Sequence, residues 1–214
     1  MATANVWKNV AVAMQSALAA AKPITAITKA SPGVATSAAH GYTNGDIVYL
    51  SVVGMYQVDA KPVRVAGVTT DTFQLEGVDT SLFDTFSSGT AEKVTLGISV
   101  TTATTISGSG GNFEMIDKTT IHGNAKSSIP GLPEPSKYEM ENIWDPVDAG
   151  LAAMKVANDT QSRRVFKFTF GSGGRVMLFA GYVGCTILPG GSAQGLVTTP
   201  TVITMDGTPT YYAS

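Results

Sequence analysis

A single cysteine, Cys185, stands in 214 residues. That excludes an intrachain disulfide framework and any metal site built from several thiolates. Two histidines, His40 and His122, cannot form a His-x-x-x-His zinc pair. Charge is scarce: Asp, Glu, Lys and Arg make up 14% of the chain, where about a quarter is usual. With 14 Lys and Arg, a formal net charge of -2 and a pI near 5.6, there is no basic footprint for tight DNA binding. No apolar run approaches the roughly 18 residues of a membrane-spanning helix. Met1–Asn5 lacks a basic segment leading into a hydrophobic core, so no signal peptide is expected.

Familiar catalytic signatures are missing as well. Neither glycine-rich stretch continues into Gly-Lys-Ser/Thr, so there is no Walker A loop, and no Gly-x-Ser-x-Gly elbow occurs. Cys185, between Gly184 and Thr186, reads as a buried strand residue rather than a nucleophile. His40-Gly41 reads as turn chemistry, and His122 as a structural hydrogen-bonding residue. Glu114 and Asp117, three apart on an expected strand, point to opposite faces and make no paired-carboxylate site. Arg163-Arg164 reads as a solvated turn rather than a phosphate clamp. Asn158-Asp159-Thr160 matches a glycosylation sequon by chance. No base, nucleophile and oxyanion donor can be named together, so neither an enzyme nor a cofactor is expected.

What remains suits strands. Hydrophobic residues reach 43%, enough for a sizeable core, and Thr, Ser and Val are abundant. Interface cores are depleted in charge, so a chain this poor in charge is expected to bury surface against copies of itself. Val10, Val12 and Met14 alternate as a strand that fades into an extended linker before Pro23. Residues 24–94 read as a self-contained β module, with turns at Ser31-Pro32-Gly33 and Asn44-Gly45 and strands over Ile47–Leu50, Val63–Ala66 and Phe73–Glu76. Longer strands are expected over 95–120, parted by a loop at Ser107–Gly111. Residues 122–137, with Pro130, Pro133 and Pro135, read as a long irregular loop, a kind usually functional. Asp145 as N-cap and Pro146 at the first helical position predict one helix, with Val147, Leu151 and Met154 as its apolar stripe. Trp144 reads as the apolar staple before it, and Trp7 as part of a terminal strand. Phe166, Phe168 and Phe170 alternate on a half-buried strand that returns through Gly171–Gly174 to Val176–Phe179 and on to Cys185. Leu196–Met205 forms a strand interrupted at Pro200, an edge or bulge, and Asp206-Gly207 turns into Thr208–Tyr212.

The order of several segments resembles a known family. Phe113-Glu114-Met115-Ile116-Asp117-Lys118-Thr119-Thr120-Ile121-His122 is similar to a strand of bacteriophage major tail tube proteins, those of long non-contractile tails. Ile129-Pro130-Gly131-Leu132, then Trp144-Asp145-Pro146 and a helix, then a Phe-rich hairpin and Gly181-Tyr182-Val183 follow as in that family. Val202–Thr210 is similar to its closing hairpin. The resemblance covers roughly 95–214 and the first strand. It implies an all-β fold, a sandwich or barrel with one flanking α-helix, made by residues 1–23 and 95–214. It also implies homo-hexameric rings stacked into a hollow tube. Tape measure, tail terminator and tail-tip proteins are its implied partners, in a virion tail made in the host bacterial cytoplasm. Genomic DNA passes through the lumen without specific binding, and no membrane is involved. Residues 24–94 resemble a small β module inserted in phage tail proteins, one related to a catalytic-cysteine half-domain of ubiquitin-activating enzymes. This stretch has no cysteine, so that chemistry is not implied, and the module is expected to decorate the tube or brace neighbouring subunits.

A lumen that does not hold phosphate should be acidic or neutral, and Glu114, Asp117 and Asp206 are the candidate lumen-facing acids. Gly123, Ile129, Pro130, Gly131, Leu132 and Lys137 mark a candidate inter-ring loop. Two other readings stay open: a different tail component such as a terminator or baseplate protein, and a carbohydrate-binding β-sandwich. The latter calls for exposed Trp or Tyr on one face.

Overall fold

The computed structural model describes residues 8–171 and 174–213. Trp7, Ser172 and Gly173 of the expected Gly171–Gly174 turn, and the extreme termini therefore lie outside the described residues. Among the described residues the protein is nearly all β, with one α-helix, and a seven-stranded antiparallel sheet curls into a half-barrel. The chain opens with β1 (Ala11–Met14), then builds a second sheet from β2 (Ala17–Leu18), β3 (Lys22–Ile24), β4 (Ala26–Ile27), β5 (Val34–Thr36), β6 (Ile47–Val53), β7 (Pro62–Ala66), β8 (Thr72–Leu75) and β9 (Ser88–Thr95). It returns through β10 (Ile98–Val100) and β11 (Ala103–Ser109), then β12 (Phe113–Asp117), β13 (Ser128–Pro133) and β14 (Lys137–Ile143). Helix α1 (Ala149–Asp159) precedes β15 (Arg164–Thr169), β16 (Val176–Gly184) and β17 (Thr198–Tyr212).

The half-barrel has strand order β10-β1-β15-β16-β17-β14-β11. Its core follows from alternation. Val12 and Met14 of β1 face inward with Phe166 and Phe168 of β15 and Met177 and Phe179 of β16. The rings pack edge to face, Phe168 to Phe179 at 5.2 Å, and stacked, Phe166 to Phe179 at 5.4 Å, geometries that suit their quadrupoles. Tyr138 of β14 joins them, its ring 5.0 Å from Phe168. Helix α1 covers one side of this core with Leu151, Met154 and Ala157.

The second sheet, order β2-β9-β6-β7-β8-β5-β4 with β3 also on β9, has its own core around Val48, Leu50, Val63, Val65, Phe73 and Leu75. His40 is buried there in a turn, its Nδ1 accepting the Tyr42 amide at 3.0 Å. Tyr42 donates its hydroxyl to the Ala91 carbonyl at 2.8 Å, and burial pushes its pKa up to about 12. The chain enters and leaves this sheet side by side: Ala17 pairs with Thr95 and Leu18 with Val94, directly beyond the β1–β10 pair Met14–Ile98.

The two sheets pack on each other through Tyr49, Val94, Val165 and Ala180. Here Val165 and Ala180 present the other face of β15 and β16, so these strands are covered on both sides. Arg163 is not a solvated turn residue. Its guanidinium lies 4.5 Å over the Tyr49 ring and pairs with Asp206 at 2.6 Å. Further along β17 the Tyr212 hydroxyl accepts the Arg64 amide at 2.8 Å, and the Thr210 hydroxyl donates to the Pro62 carbonyl at 2.9 Å. Lys61 donates to the Thr208 hydroxyl at 3.1 Å, and burial lowers its pKa.

Several expectations are corrected. The loop at Ser107–Gly111 shrinks to Gly110 and Gly111, because Ser107–Ser109 complete β11 against Tyr138, Glu139 and Lys137. The irregular stretch 122–137 contains β13, which pairs with β12 from Asp117–Ser128 to Phe113–Pro133. Prolines fit there because a two-stranded ribbon consists of edges. The N-cap is Asp148, whose carboxylate accepts the Leu151 amide at 2.9 Å. Asp145 instead accepts the Val147 amide at 3.1 Å in the preceding turn, and Val147 is 86% exposed, off the apolar stripe. Starting at Ala149 turns Leu151, Met154 and Ala157 to the core. Trp144 does not staple the helix: its Nε1–H donates to the Ile187 carbonyl at 3.0 Å.

β17 runs through both expected breaks. Pro200 pairs with Glu141 of β14, while β16 ends opposite Val202, so Pro200 has a neighbour on one side only. Asp206-Gly207 is a bulge, not a turn: Ala180 pairs with Asp206 and Leu178 with Thr210, leaving three β17 residues opposite Phe179. Gly207, at φ 78°, supplies the left-handed backbone that the bulge requires. Asn158 gives its side-chain oxygen to the Cys185 amide at 3.2 Å, and Cys185 is buried in the core.

Candidate assembly surfaces

Residues 107–130 are exposed without a break. The ribbon β12–β13 carries Phe113, Met115 and Ile116 on one strand and Ile129 and Leu132 on the other, all more than 40% exposed. Between them Ile121 stands 95% exposed at the tip. A two-stranded ribbon is marginal in water, and apolar side chains gathered on a projecting element mark an interaction surface. Its ordering is local: the Gly111 amide donates to the Glu134 carbonyl and the Glu134 amide to the Asn112 carbonyl at the root, and the Lys118 amide donates to the Ser127 carbonyl at 2.9 Å below the tip.

The candidate loop residues are all found on this arm or at its root. Gly123 closes a tip turn, its amide on the Thr120 carbonyl at 3.0 Å. Ile129, Pro130, Gly131 and Leu132 lie on β13, and Lys137 is the first residue of β14, paired with Glu139 at 2.8 Å. His122 is exposed at the tip, and among the described residues its ring makes none of the hydrogen bonds expected of it.

The three candidate acids do not meet. Glu114 and Asp117 are exposed on β12. Hydrogen bonds from the Thr119 hydroxyl and amide, the latter at 2.7 Å, hold Asp117 below the usual carboxylate range. Asp206 sits at the junction of the two sheets against Arg163.

The half-barrel is open along a groove of about 640 Å³ between β1 with β10 on one side and the start of β11 on the other. Among the described residues β11 pairs only with β14, so its outer edge is free. Such an edge is a template for another strand.

A second exposed apolar surface escaped the sequence reading. Ile143, Val147, Leu188, Leu196 and Val197 are all more than 40% exposed. They gather at the far end of β14, where the Trp144 amide donates to Val197 and the Trp144 indole to Ile187. Ile187 has φ 53°, a conformation costly for a β-branched residue. The visible signal was a pair of apolar clusters, Ile187-Leu188 and Leu196-Val197, within a glycine-rich stretch that lacks strand alternation.

Among the described residues no group of three or more His, Cys, Asp or Glu is placed to hold a metal, and no helix is long and apolar enough to cross a membrane. No curated protein matches the chain closely enough to be set beside it. A family described as phage tail tube protein, TTP, matches residues 53–214, beginning inside β6 and running through the half-barrel. With more than half of its length matched, and with a curled antiparallel sheet, one helix and a projecting arm, the chain belongs to the phage tail tube protein family.

Proposed function

We propose that this chain is the repeating subunit of a tail tube: copies join edge to edge into closed six-membered rings, and the rings stack into the conduit for DNA at ejection. The observation that carries the reading is the arm, an apolar ribbon left uncovered by the described residues of its own chain. The free β11 edge supports ring closure, since cyclic symmetry turns an edge hazard into an interface and leaves none open. We infer further that residues 1–23 and 95–214 form the tube unit and 24–94 an inserted module. The two separate cores and the paired entry and exit strands support that division. The role is structural rather than enzymatic. A tape measure, a terminator and tail-tip proteins are the partners such a tube needs. Glu114 and Asp117 are the acids we assign to the lumen, where they would repel phosphate. Asp206, held by Arg163, belongs to the junction instead.

Negative-stain electron microscopy of the purified chain over a concentration series, with and without tail-tip complexes, tests this. Six-fold rings or hollow tubes are expected. A chain that replaces Asn112–Glu134 with a short turn should stop before stacking. Failure of the intact chain to assemble even on tail-tip complexes would refute the tube reading.

A further inference from the structure

The arm and the second apolar surface lie at opposite ends of one ladder. β11 and β14 pair from Ser109–Lys137, the root of the arm, to Ala103–Asn142, beside the surface around Trp144. Seven residues of β14 separate them, or about 20 Å at strand rise. Two complementary surfaces at opposite ends of one molecule make a heterologous contact, which propagates head to tail without closing on itself.

Their charges are opposite. The tip, residues 118–127, contains Lys118 and Lys126 and no acid, the nearest being Asp117 at its base, which is turned onto the Thr119 amide at 2.7 Å. The receiving segments, 141–149 and 186–198, contain Glu141, Asp145 and Asp148 and no Lys or Arg. Each surface also offers apolar side chains: Ile121, 95% exposed, on the tip, and Val147, Leu188 and Leu196, at 86%, 68% and 65%, on the receiver. The receiver is held in shape. Trp144 bonds the 187–197 loop through both its indole and its amide, and a bridge between Gly190 and Thr198 closes the loop.

We propose that the acidic, apolar surface around Trp144 is the docking site for the basic arm tip of a second copy of this chain, with Ile121 seated among Val147, Leu188 and Leu196. This inference rests on the tube reading and deepens it: it names the acceptor and the chemistry that selects it. Apolar burial supplies the attraction, and the lysine–carboxylate match sets direction, because a tip meeting another tip would oppose like charges. The strained backbone at Ile187 fits a loop shaped for a partner rather than for its own chain's comfort.

The test is cross-linking between two populations of full-length chain, one carrying Ile121→Cys and the other Leu196→Cys, joined by a short flexible bis-maleimide. Cys185 is buried in both and gives a common background. Mixed Ile121–Leu196 products should dominate over products within either population. Lys118→Glu with Lys126→Glu on the arm should cut the mixed product about tenfold, and Glu141→Lys with Asp145→Lys on the receiver should restore it. Since Asp145 accepts the Val147 amide, Glu141→Lys alone is carried in parallel, with partial restoration expected. Absence of mixed product, or charge reversals without effect, would overturn the inference. Microscopy of the unsubstituted chain separates this from the broader reading: tubes without mixed product defeat the acceptor alone, whereas mixed product without tubes defeats the tube.

Discussion

Asp46 illustrates how one carboxylate can be set against its surroundings. Burial works to raise its pKa, yet the hydrogen bond from Lys93, at 2.8 Å, and the Thr43 amide, at 2.9 Å, outweigh burial and leave it lowered from 3.8. A folded-state pKa below the unfolded value means the ionised form favours folding. That stabilisation is fully present above the unfolded pKa and is lost as pH falls through the folded one. Asp46→Asn keeps an acceptor for Thr43 but removes the charge. It should cost about 1 kcal/mol in urea unfolding at pH 7, and the difference from the parent chain should shrink towards zero as the pH falls through and below the lowered folded-state pKa. A cost that stayed constant with pH would assign the loss to packing instead.

At the scale of elements, α1 is held to the half-barrel by a glycine. A Cβ on Gly150 would stand 2.7 Å from the Ser99 carbonyl and 3.2 Å from Val100, so the first turn of the helix lies against the backbone of β10. Gly150→Val should overpack this contact and cost roughly 2–3 kcal/mol, read as a lower unfolding midpoint with the β-sheet circular dichroism unchanged. The sequence made the helix itself visible, because Leu151 and Met154 recur at helical spacing, but its start was misplaced. Asp145 and Asp148 both have cap chemistry, and only the packing of Gly150 against Ser99 selects the second. The Phe-rich hairpin was legible from strict alternation. The continuous burial of Met177, Leu178, Phe179 and Ala180 is not legible from alternation, since it needs a second sheet to cover the outer face. β12–β13 was read as half strand and half loop because three prolines mask a ribbon whose every strand is an edge. The arm was therefore located in the sequence and misjudged in form. Its proposed acceptor went unseen, since its two segments, around Trp144 and around Leu196, meet only through the fold.

For the whole molecule, the issue is whether two sheets are two units. Ala17 and Thr95 are paired neighbours, and β1 and β10 continue the same antiparallel pairing beyond them. Removing residues 19–93 and joining Leu18 to Val94 by an Asn-Gly turn would therefore convert an insertion into an ordinary hairpin. The half-barrel core contains no residue from the excised stretch, so its packing should survive. What is lost is most of the junction: Val165 and Ala180 keep Val94 but lose Tyr49, and Arg163 and Tyr212 lose their ring and guanidinium partners, Tyr49 and Arg64. Exposing those two apolar side chains should cost roughly 2–3 kcal/mol. The shortened chain should still unfold cooperatively, at a lower denaturant midpoint and with a smaller m-value, because less surface is exposed on unfolding. Replacing Val165 by Thr in that chain should reduce its tendency to aggregate with little further loss of stability, since the position then faces water. A shortened chain with no cooperative transition would show that the second sheet is part of the tube unit's own folding. The family match, which begins at residue 53 and so takes in β7, β8 and β9 of the second sheet together with the half-barrel, would fit that outcome.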